Sequence, residues 1–242
     1  MANSPVISRK DMREPDRFQV VANQAASWLA ARKKQAAVVG GAAAAVIIAV
    51  GVFATVQSSR AEAAGRATAD LLKVVAAPVI AKPEAGSTQK TFPTDDAKQH
   101  AIVAEADKVL GAYGSSRPAR LAILVKANAL YALEEWDKAG AEYQRYLKDA
   151  PTDDSLRFGA LDGLGLVAEA KGDLAGATKA YERMAQEAPK FSDRADLERA
   201  RVLAAAGKVD EARQILSKFG ESHKDSTLAG QASQQLAQLG AK

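Results

Sequence analysis

The chain has no cysteine among its 242 residues, which removes thiol catalysis, a disulfide framework and thiolate metal sites together. Its two histidines, His100 and His223, lie 123 positions apart and outside any ligand-spaced cluster, so they read as surface histidines and not as metal ligands. Neither a phosphate-binding Gly-x-x-x-x-Gly-Lys loop nor a Gly-x-Ser-x-Gly elbow occurs. Acidic pairs such as Asp153-Asp154 fall in turns, where capping accounts for them. With no catalytic constellation in view, the expectation is a protein that is not an enzyme and has no cofactor, metal or small-molecule substrate.

A basic stripe interleaved with aromatics is also missing. The net charge of +4 and pI near 9.2 could suggest nucleic acid, but the excess is local. Residues 1–93 carry 12 Lys and Arg against 6 Asp and Glu, and residues 94–242 carry 21 against 23. The C-terminal part is therefore slightly acidic, and no nucleic-acid partner is expected.

Charge itself is missing from Gln35 to Ser59, a run of 25 residues bounded by Arg32-Lys33-Lys34 and Arg60. Its apolar part, residues 36–56, is 21 residues long, and crossing a hydrocarbon core takes about 20. One uncleaved transmembrane helix is expected. Two other readings are a signal peptide cleaved near Ala61-Glu62-Ala63 and a buried soluble helix. The basic cluster before the span places the N-terminus in the cytoplasm and the rest across the membrane. Within residues 1–35, Phe18, Val21, Ala25, Trp28 and Leu29 recur at helical spacing. They suggest an amphipathic helix at the inner surface, or simply the start of a long membrane helix. Gly40, Gly41, Ala44 and Ala45 give small-x-x-x-small spacing, which alanine-rich composition also produces.

What is present in abundance is repetition. Trp136-Asp137-Lys138-Ala139, Leu174-Ala175-Gly176-Ala177 and Val209-Asp210-Glu211-Ala212 recur at offsets of 38 and 35 residues, a period that marks a helical solenoid. In the second copy Leu161, Leu164, Gly165 and Ala168 define one buried helix face. Gly172 then stops the helix, and a second helix follows with Ala177, Tyr181 and Met184 inside and Pro189 behind it. Tyr181 should pack between the two helices against Leu164 and Ala177. The first copy offers Ala127, Leu130 and Tyr131, a turn at Glu134, then Ala139, Tyr143, Tyr146 and Pro151. The third offers Ala200, Leu203 and Ala204, then Gly207, Ala212, Leu216 and Phe219, with Lys224 in place of the proline.

These positions resemble the tetratricopeptide repeat: small at eight, large at eleven, glycine at fifteen, alanine at twenty, aromatic at twenty-four, proline at thirty-two. On that frame the repeats run over 120–153, 158–191 and 193–226. A capping helix over 227–240, begun at Ser226 and holding Leu228, Ala232, Leu236 and Leu239, covers the last repeat. Asp95 to Tyr113 reads as the second helix of a degenerate leading repeat whose first helix falls before Lys82. The stretch from Pro78 to Pro93 reads as loop. The expected class is all-α: a short cytoplasmic segment, one membrane helix, a post-membrane helix and loop over 57–93, and a repeat domain over 94–242.

The resemblance implies a groove lined by positions two, five, nine and twelve of each first helix. Those positions are Leu121, Leu124, Asn128 and Tyr131; Gly159, Asp162, Leu166 and Glu169; then Arg194, Leu197, Arg201 and Ala204. Leucines there also suit a core, so Leu121, Leu124, Leu166 and Leu197 have two readings. The family's clamp for a C-terminal carboxylate needs lysine where Leu124 stands. An extended segment held by apolar contacts and oriented by Arg194 and Arg201 is the expected ligand, with Asn128, Tyr131 and Arg201 free to meet it. The whole layout is similar to the ancillary subunits of the bacterial Sec translocon. That similarity implies an inner-membrane protein with a periplasmic repeat domain, partnering the translocon and periplasmic chaperones. A scaffold for envelope assembly or cell division is the other reading.

Overall fold

The computed structural model describes residues 33–82, 89–114 and 116–240, with side chains from residue 45 onward. The amphipathic stretch from Phe18 to Leu29 lies outside the described residues. Contacts divide the chain between Ser58 and Ser59. On the first side, helix α1 (Lys33–Ala76) presents Val46, Ile47, Ile48, Val50, Val52 and Phe53 with more than half of each exposed. Among the described residues, one helix segment, Ala45–Ala76, is long and apolar enough to cross a membrane by length and composition.

On the second side every described element is helical except one bridge. From residue 59 onward α1 buries Ala64, Thr68, Leu71 and Val74, a stripe at three- and four-residue steps. The Thr68 hydroxyl donates to the carbonyl of Pro118 at 3.2 Å. Then come α2 (Asp95–Tyr113), α3 (Arg117–Ala132), α4 (Trp136–Asp149), α5 (Arg157–Ala170) and α6 (Leu174–Glu187). A 3-10 turn (Pro189–Phe191) leads into α7 (Ser192–Ala205), α8 (Val209–Ser222) and α9 (Ala229–Gly240). The loop after α1 is closed by a parallel bridge between Val79 and Phe92, with Ile80 N–H donating to Phe92 O at 2.8 Å.

From α2 onward each helix packs on its neighbours in sequence, and α9 lies on α8 and α7. The three hairpins α3–α4, α5–α6 and α7–α8 close in the same way. Glu135 N–H donates to Leu130 O at 2.9 Å, Asp173 N–H to Ala168 O at 2.8 Å and Lys208 N–H to Leu203 O at 2.9 Å. This is the six-to-one bond of a Schellman cap, which needs a left-handed residue just before the donor. Gly172 (φ 74°) and Gly207 (φ 76°) fill that place in two copies, and Glu134 (φ 59°) in the first. A side chain there strains the backbone by about 1 kcal/mol. Glu134→Gly should therefore raise stability by about that amount, read as a higher melting temperature by circular dichroism. A melting temperature lower than wild type would show that the turn is unstrained.

Among the described residues the interior comprises three clusters. The first joins the end of α1 to α2, α3 and α4, and takes Ala160 and Val167 from α5. The second holds Leu161, Ala177, Tyr181, Met184, Ala195 and Val202. The third holds Leu197, Ala200, Leu203, Ala212, Leu216, Phe219 and Ala232. Tyr181 is fully buried, but Leu164 belongs to the first cluster, a correction to the expected contact. The reason is glycine: an added Cβ at Gly165 would lie 2.5–2.9 Å from the Tyr181 ring, and one at Gly163 would lie 2.2–2.6 Å from Tyr143. Both rings lie directly on helix backbone, where no side chain fits.

Candidate functional site: the first-helix face

The residues expected to line the groove come from α3, α5 and α7, the first helices of the three hairpins. The structure divides them. Leu124 and Leu197 are only 7% and 5% exposed and belong to the first and third cores. They are packing residues, because burying their apolar surface holds the hairpins together. Leu121, Leu166 and Tyr131 are half-buried, and Asn128 is exposed.

The polar positions pair with one another. Arg201 donates from Nη1 to Glu169 Oε2 and from Nη2 to Glu169 Oε1, both at 2.7 Å. Its Nε donates to Glu198 at 2.8 Å. Arg194 Nη2 donates to Asp162 Oδ2 at 3.1 Å. The Tyr181 hydroxyl donates to Glu169 at 2.9 Å, and the Tyr143 hydroxyl to Asn128 Oδ1 at 2.6 Å. Two ion-pair rungs thus tie α5 to α7. The expectation that Asn128 and Arg201 stand free is corrected: each holds a neighbouring side chain. A fork-shaped guanidinium on a carboxylate is a strong directional pair, so a ligand carboxylate would have to displace Glu169 from Arg201.

Electrostatics follow from this arrangement. Burial pushes the Asp162 carboxyl up despite the Arg194 guanidinium beside it, and its Oδ1 is buried without a hydrogen-bond partner. Hydrogen bonding to Glu169 holds Arg201 in its charged form against partial burial. Burial, then the bond to Glu169, raises the Tyr181 phenol, so this hydroxyl remains a donor at neutral pH.

Two side chains, Arg157 and His223, depart from the sequence reading, and two turns, at Asp154 and Ser226, gain side-chain contacts. Arg157 is buried; its Nη1 donates to Leu147 O at 2.8 Å and Ala150 O at 3.2 Å, and its Nη2 to Glu187 at 2.5 Å. Asp154 accepts from the Tyr146 hydroxyl and from Leu156 N–H, each at 3.0 Å. His223 is not a surface histidine: its side chain is 13% exposed, with Nε2 3.0 Å from Asp196 Oδ2 and its ring against Phe219. Ser226 donates to Asp193 at 2.6 Å and accepts from Leu228 N–H. A short polar residue four or five places after a helix end is the available signal for such turn contacts. Among the described residues no group of three or more metal-ligating side chains gathers.

Residues 168–238 match the tetratricopeptide repeat family. The matched span runs from the end of α5 through most of α9, and it supports a tetratricopeptide repeat protein. Such repeats suggest a protein–protein interaction module. No curated protein matches the chain.

Proposed function

We propose that the chain is a membrane-anchored, non-catalytic protein-binding module whose repeat face holds an extended segment of a partner protein. One observation carries the reading. The first-helix row presents half-buried Leu121, Tyr131 and Leu166 beside exposed Asn128, while the charges further along are already neutralised by Glu169, Arg201, Asp162 and Arg194. Apolar contact and the Asn128 amide are what this face offers a ligand. The exposed apolar helix segment within Ala45–Ala76 supports the anchor.

In its finer form the proposal places the anchor in the bacterial inner membrane, with the N-terminus cytoplasmic and the repeats periplasmic. There the module assists secreted or envelope proteins beside the Sec translocon. The basic cluster at Arg32-Lys33-Lys34 and the architecture of span followed by repeats support this. The test is a photo-crosslinking amino acid placed at Leu121 or Leu166 in cells, with a periplasm-dependent reporter fused after Lys242. Crosslinks to exporting polypeptides or translocon subunits, with an active reporter, are expected. Crosslinks confined to assembly or division proteins would favour the scaffold reading. A silent reporter would overturn the orientation.

A further inference from the structure

The outer face, formed by the second helices, carries information that the first-helix row does not. A floor position recurs there, one per hairpin, at Lys126, Leu164 and Arg199. Lys126 fills its place with charge: its Nζ lies 2.8 Å from Asp107 of α2 and 2.6 Å from Glu142 of α4. Arg199 likewise pairs with Asp196 at 3.6 Å, in a cleft between α6 and α8 whose rim holds Glu182 and Glu211. Only the middle floor is apolar. Leu164, Val167 and Ala168 underlie an open cleft of about 440 Å³ between α4 and α6.

The walls of this cleft are small where the others are bulky. Gly140 and Ala180 stand at the places taken by Thr178 and Ile215 one repeat later. The half-buried indole of Trp136 closes one end. The rim charges are unevenly spread. Lys171 pairs with Asp137 at 2.5 Å, and Asp173, at the start of α6, accepts from Gly176 N–H at 2.8 Å and keeps its negative charge. Arg183 pairs with Glu187 at 2.8 Å, a carboxylate it shares with Arg157. Lys179, one turn before Arg183, is exposed and lines the same cleft, and among the described residues it has no acidic partner within ion-pair reach. An apolar slot floored by aliphatic side chains, walled by an indole and edged along α6 by Lys179 and Arg183 is complementary to an apolar side chain beside a carboxylate.

We propose that the cleft between α4 and α6 is a second docking site, which takes an acidic partner segment bearing one large apolar side chain. The side chain enters over Leu164 and Val167 beside Trp136, and a flanking carboxylate meets Lys179. The site is separate from the first-helix face, so the two can be disabled independently.

The test uses the full chain in detergent micelles with Trp28→Phe, which leaves Trp136 as its single indole. Three synthetic nonapeptides are titrated: one phenylalanine flanked by glutamates, the same with lysines, and the glutamate peptide with alanine for phenylalanine. The first should saturate and shift the Trp136 emission, with the other two at least about tenfold weaker. Lys179→Glu should invert the charge preference. Ala141→Phe, at an exposed lining position, should block the cleft and abolish the emission shift while leaving helicity intact. Equal binding of the glutamate and lysine peptides, or undiminished binding to Ala141→Phe, would overturn the proposal. Leu166→Ser, on the other face, should leave this binding unchanged; its loss there would also count against a separate site.

Discussion

Tyr181→Ala should lower the stability of the repeat unit by about 3–5 kcal/mol. The ring is fully buried, lies on the backbone at Gly165 and sends its hydroxyl to Glu169. Truncation leaves a cavity in the middle cluster and removes a donor from the carboxylate that also holds Arg201. Urea unfolding of the full chain in micelles, followed by far-ultraviolet circular dichroism, gives the measurement. Gly165→Ala alone should cost about 1–3 kcal/mol by overpacking. In the Tyr181→Ala background that cost should largely vanish, because the added methyl enters vacated space. Such non-additivity is the signature of direct contact. A Tyr181→Ala chain that unfolds with wild type would mean that the repeat frame is misplaced.

Arg157→Met is the second large loss, about 3–5 kcal/mol. The guanidinium caps two carbonyls at the end of α4 and holds Glu187 at the end of α6, so it joins the first hairpin to the second. Methionine matches the stem but not the donors, and Leu147 O and Ala150 O lose their partner. The substitution also changes the acid limb. Burial would raise the Glu187 carboxyl, yet hydrogen bonds from Arg157 and Arg183 prevail and hold it below its ordinary value. A carboxylate held low in the folded state adds stability above its unfolded pKa and loses it as pH falls through the folded one. The wild type should therefore lose stability more steeply than Arg157→Met on acidification below the ordinary carboxylate range. Parallel acid limbs would show that Glu187 is held by Arg183 alone.

The hairpins were legible in the sequence because their caps are a local matter. A glycine or strained Glu134, a small residue five places on and a large one four beyond that (Tyr143, Tyr181 or Leu216) repeat in phase, and the backbone bonds repeat with them. The groove was less legible. Position numbers located its residues correctly on the first helices, but they could not reveal that Asp162 and Glu169 would each meet an arginine 32 residues later. Pairing across helices depends on side-chain reach, which spacing does not encode. Leu124 and Leu197 went to the core for a related reason: one helix face serves both ligand and neighbour, and the neighbour is closer. Arg157 was invisible because a basic residue at a helix start usually points to solvent; its long stem carries the charge inward to carbonyls that only the folded chain brings together. The outer cleft was within reach of sequence reasoning, since Lys126, Leu164 and Arg199 occupy equivalent places in a frame already known.

The three clusters are linked by two helices that have no idle face. α5 gives Val167 to the first cluster and Leu161 to the second; α7 gives Val202 to the second and Leu197 to the third. Adjoining parts of the array therefore cannot melt independently: opening one cluster strips half the burial from the helix that serves the next. At α9 this coupling is weakest, because that helix contributes one buried alanine. Spontaneous opening should begin with α9 and travel toward α2 in steps of a hairpin, as the most loosely held plate of a stack lifts first.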